Sequence, residues 1–106
     1  MSIDAPLGAK ARAVGVAWYR PEDYQRIREI SHDEMQPTFE AFEAKMSRLL
    51  PHFQSQLPPG IVVEKVVVDP DELLAFAERF HAGKIDTKVR SAFASFCVMQ
   101  KYGTNH

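Results

Sequence analysis

Hydrophobic and polar positions along the chain switch between two periods. From Ala13 to Tyr19 they alternate: Val14, Val16 and Trp18 share one side, while Ala13, Gly15, Ala17 and Tyr19 share the other. A period of two is that of a strand, here with a bulky face and a small-residue face. The small face admits a helix backbone or a partner at close range. Arg20-Pro21-Glu22-Asp23 reads as a strand end followed by a helix start. Proline suits the first helical position, and acids suit the positive end of the helix dipole. Tyr24, Ile27 and Ile30 continue as a short apolar stripe to about Ser31. His32 to Gln36 is polar and reads as a turn, and Pro37 restarts a helix at its first position.

The clearest helical pattern follows. Phe39, Phe42, Met46, Leu49 and Phe53 are spaced 3, 4, 3, 4, one face of a helix. Pro51 predicts a regular end near Leu50 and a loose turn to Gln56, because it removes a backbone donor. Leu57-Pro58-Pro59-Gly60 is a connector. Ile61 to Val68 predicts a second strand, apolar on both faces, which suits an interior position. Asp69 caps a third helix, with Pro70 first and Glu72 placed to bond back. Leu73, Ala77 and Phe80, joined by Leu74 and Phe76, are its expected buried face, and Gly83 its left-handed terminator. A fourth helix runs from about Thr87 to Lys101, with Val89, Phe93, Phe96 and Cys97 expected inward.

The order strand, helix, helix, strand, helix, helix predicts a small two-layer α/β (or α+β) domain over 13–103. Residues 1–12 read as a flexible N-terminal arm and 104–106 as a frayed tail. Two strands alone make a poor sheet. Either a third strand hides in a connecting segment, or two chains pool their strands in a homodimer.

A chain of 106 residues and 12.0 kDa has room for one domain. Its 45% hydrophobic and 25% charged residues exclude a disordered chain. No apolar run is long enough for a membrane span or a signal peptide. The single cysteine points to a reducing cytoplasm. A net charge of -1 exerts no general pull on nucleic acid or anionic lipid.

Ala17-Trp18-Tyr19-Arg20 with Asp23-Tyr24, and Val66-Val67-Val68-Asp69-Pro70-Asp71-Glu72-Leu73, resemble a set of short uncharacterised (hypothetical) bacterial proteins across residues 13–96. The resemblance implies a free-standing bacterial cytoplasmic domain and attaches no activity.

Candidate chemistry is sparse. The four histidines are scattered and no pair has the spacing of a helical zinc site, so no metal is expected. There is no glycine-framed serine and no phosphate-binding loop, so neither a catalytic residue nor a cofactor is assigned. Cys97 falls among phenylalanines and reads as an inert core thiol. If the strands are parallel, their carboxyl ends bring Tyr19 and Arg20 near Asp69 and Asp71, a candidate ligand site. Thr87, Lys88 and Arg90 open the last helix with two cations and form a candidate anion site. Phenylalanines beyond the needs of one small core suggest a partner surface. The expectation is a self-associating interaction domain, its partner a second copy or another protein, rather than an enzyme. A small-molecule site at the strand ends is the alternative. Nucleic-acid binding through the last helix is a weaker one.

Overall fold

The Trp18 carbonyl accepts a hydrogen bond from the Val68 N–H at 2.9 Å, and that contact sits at the end of a parallel two-stranded ladder. In this computed structural model, which describes residues 13–102, strand β1 (Ala13–Trp18) pairs with β2 (Val62–Val67), Ala13 opposite Val62 through Trp18 opposite Val67. A single turn of 3-10 helix (Pro21–Asp23) leads into α1 (Tyr24–Ile30), followed by α2 (Phe39–Ser55). After β2 come α3 (Pro70–Phe80) and α4 (Thr87–Tyr102). The result is the small α/β domain of the expected order. The N-terminal arm and the tail lie outside the described residues.

Gly15 explains why α4 lies where it does. A Cβ at this position would stand 2.7 Å from the Ala94 carbonyl oxygen and 2.8 Å from Val98 Cγ2. The helix backbone therefore rests directly on the small face of β1. Ala94 and Val98 are buried there with Val89 and Phe93. The core continues through Tyr19, Tyr24, Ile27, Val68, Leu73, Ala77 and Ile85.

β2 is an edge strand, contrary to the interior position its composition predicts, and no third strand exists among the described residues. Val62 and Val67 stay 52% and 50% exposed. Gln54 explains how the edge is managed. Its side-chain amide donates to the Ile61 carbonyl at 2.7 Å, and its oxygen accepts from the Val63 N–H at 2.8 Å. One side chain thus imitates a strand and satisfies the first outward-facing backbone groups.

The same clamp bears on Pro51. The helix continues through it to Ser55 instead of stopping near Leu50. Pro51 leaves one carbonyl without its donor, while Gln54 holds the last turn against β2. The helix also starts later than Pro37: Thr38 is the cap, its hydroxyl accepting from the Ala41 N–H at 3.0 Å. No residue of α2 is fully buried.

Two helical faces differ from expectation. Phe80 is exposed, and only Leu73, Ala77 and Pro70 of α3 are buried. In α4 the inward stripe is Val89, Arg90, Phe93, Ala94 and Val98, leaving Phe96 exposed. The contact with Gly15 turns the helix toward its alanine side, away from the larger Phe96.

Candidate functional site

Arg90 is 6% exposed, and its carboxylate partner comes from the segment that the sequence marks as a polar turn. Its guanidinium grips Asp33 with both nitrogens, at 2.8 and 2.9 Å, and donates to Ser31 Oγ at 2.9 Å. Its charge also reaches the Tyr19 phenol. This planar two-point contact is the geometry that guanidinium and carboxylate share. Hydrogen bonding from Arg90 holds the Asp33 carboxyl below its usual range. Burial, only partly offset by Arg90, pushes the Tyr19 phenol up to about 12.

The segment after α1 is pinned elsewhere too. The His32 N–H donates to the Ile85 carbonyl at 2.7 Å, and the Ile85 N–H donates to His32 Nδ1 at 3.1 Å. Tyr24 donates its hydroxyl proton to the Gln36 carbonyl at 2.8 Å. Between this segment, α2, α4 and β1 lies a cleft of about 660 Å³. Val16 and Ala17, from opposite faces of β1, both line it with Tyr19, Phe42, Met46 and Arg90.

The four strand-end residues do not converge there. Arg20 donates to Asp23 at 2.8 Å and to Asp69 at 3.2 Å, so the parallel strands do bring Arg20 and Asp69 together. Asp69 also caps α3, accepting from the Glu72 N–H at 3.0 Å. Asp71 is engaged with Arg26 at 2.9 Å. Tyr19 instead lines the cleft with Arg90.

The residues opening α4 are also dispersed. Asp86 caps the helix by accepting from the Val89 N–H at 3.0 Å. The Thr87 backbone also helps to hold the Asp33 carboxyl down. Two carboxylates therefore already meet the positive helix end, and Arg90 is turned inward to one of them. Lys88 is exposed.

A second feature is apolar. Between α3 and α4 runs a groove of about 620 Å³, lined by Phe76, Phe80, Phe93, Phe96 and Cys97 and rimmed by Glu72, Arg79, Gln100 and Lys101. Phe76 stacks against Phe80, Phe93 and Phe96 at centroid distances of 5.1–5.4 Å. Phe80 is 52% exposed, and Met99 on α4 is 63% exposed. Cys97 is half-buried in this groove, and burial pushes its thiol up, helped by the charge of Glu72. Sequence reasoning puts these rings on the expected inward faces of their helices, with Phe76 and Phe80 also among the candidates for phenylalanines that one small core leaves over for a partner surface. The signal it passed over is the spacing of Glu72, Ala75, Phe76, Arg79 and Phe80, itself one helical face.

Among the described residues no three histidine, cysteine or acidic side chains are grouped to hold a metal ion, and no helix is long and apolar enough to cross a membrane. The chain matches no protein-family model, no curated protein and no solved structure.

Proposed function

We propose that this chain is a small bacterial cytoplasmic interaction domain that works by binding a protein surface, most simply that of a second copy. The observation that carries this reading is the aromatic groove between α3 and α4. Its ring cluster continues onto exposed Phe80 and Phe96. Contiguous apolar surface of this kind costs free energy in water and marks a partner site. The strand-end groups give less support to a chemical role, since Arg20, Asp69 and Asp71 are engaged in ion pairs.

Sedimentation velocity across the micromolar range tests the proposal. The wild-type chain should move from monomer toward dimer as concentration rises, and Phe80→Asp should stay monomeric. A wild-type chain that sediments at 12.0 kDa throughout overturns the reading.

A second reading rests on the cleft at Tyr19 and Arg90. Its about 660 Å³ falls within the roughly 300–1,000 Å³ of small-molecule sites. A ligand there raises the melting temperature of the wild type and not of Phe42→Trp, which fills the cleft.

A further inference from the structure

We infer that two copies pack their α3 helices antiparallel about a two-fold axis lying between Ala75 and Phe76, with Glu72 of each copy paired to Arg79 of the other. The inference rests on the reading that the α3–α4 groove binds a second copy, and it specifies how.

Glu72 and Arg79 are seven residues apart, which is two helical turns and about 10 Å along one face. Both are exposed on the rim of the groove. Neither makes an ion pair among the described residues, although Asp69, Asp71, Glu64 and Lys101 around them are all engaged. Arg79 lies over the Phe80 ring at 5.3 Å, which keeps its charge beside the apolar surface.

Placing a two-fold axis midway between them is the arrangement these charges select. An antiparallel pair sets each Glu72 opposite Arg79 of the second copy, twice per dimer. A parallel pair sets Glu72 against Glu72 and Arg79 against Arg79, which repels. At the centre the side chains are complementary in size. Ala75 is exposed and small, Phe76 is large, and the two-fold lays Phe76 of one copy over Ala75 of the other. Phe80 and Phe96 flank this contact and extend the buried area toward the roughly 800 Å² per partner of a specific interface. One patch, used twice, therefore supplies the apolar centre and the polar rim that protein interfaces share.

Charge reversal provides the test. Glu72→Arg and Arg79→Glu each place like charges at both rim contacts, and each should weaken self-association by about tenfold or more in sedimentation equilibrium. An equimolar mixture of the two variants should form a heterodimer with affinity within about threefold of wild type, because mixing restores both pairs. The double variant E72R/R79E should likewise self-associate as wild type does. Rescue on mixing also shows that both single variants are folded, and the double variant serves if either one melts. If the wild type dimerises but single reversals change nothing, or mixing restores nothing, the two-fold pairing is overturned while self-association stands. If the wild type is monomeric, the underlying reading falls too.

Discussion

Arg90 on α4 and Asp33 in the segment after α1 meet through two parallel hydrogen bonds of 2.8 and 2.9 Å, although 57 residues separate them. The pair ties the 31–38 segment to the helix that covers the sheet. Removing one partner leaves the other charge without its match where water is scarce. Arg90→Ala should therefore destabilise the domain by about 2–4 kcal/mol, below the largest losses for buried pairs because Asp33 keeps some solvent contact. Chemical denaturation measures it. A loss under about 0.5 kcal/mol, the size of an exposed pair, contradicts the role.

The same pair sets an acid limit. Asp33 has a carboxyl held below its ordinary value when folded, chiefly by the Arg90 hydrogen bond. A depressed folded value contributes stability that is present above the unfolded value, about 3.9, and lost as pH falls through the folded one. Asp33→Asn should flatten the fall in melting temperature below about pH 4, at the cost of a lower melting temperature near neutrality. An unchanged acid slope in the variant goes against this assignment.

Gly15 carries the contact between sheet and helix. Gly15→Ala puts a methyl group 2.7 Å from the Ala94 carbonyl oxygen, and backbone cannot swing aside as a flexible side chain can. Overpacking of this kind costs about 1–3 kcal/mol. A variant as stable as wild type would mean that α4 does not rest on β1.

Ala82 holds a left-handed conformation with φ 55°, directly before Gly83 at φ 82°. The Gly83 N–H donates to the Ala77 carbonyl at 2.9 Å, closing the end of α3. An alanine there is strained by its Cβ. Ala82→Gly should raise stability by about 0.5–1 kcal/mol, where glycine in ordinary helical backbone would lower it by a similar amount. A drop in melting temperature is the opposing result.

What the sequence made legible follows its local chemistry. The order of elements, the cap at Asp69 and the close-approach face at Gly15 are all written in neighbouring residues, and the structure has each in place. The misjudged features depend on residues distant in sequence. Gln54 blunts the edge of β2 from across a connector, so β2 needs no further strand there. Arg90 looked like a cation at the wrong end of a helix, because Asp33 is not its neighbour in the chain. Phe80 and Phe96 read as core because composition shows that a ring is apolar but not whether one small core has room for it. Of the residues proposed as sites, Arg20 and Asp69 do meet, because the strands are parallel. Tyr19 departs because its own strand turns it toward the cleft.

The two-fold arrangement of α3 is most directly tested by a cross-link at its centre. That arrangement would put Ala75 of each copy next to the axis, where a disulfide, which spans roughly 4.4–6.8 Å between Cα atoms, would form. Ala75→Cys in a Cys97→Ser background should oxidise to a covalent dimer of twice the 12.0 kDa chain mass on a non-reducing gel, while Ser95→Cys in the same background should remain monomeric. No cross-link at position 75, or one no faster than at position 95, contradicts the arrangement.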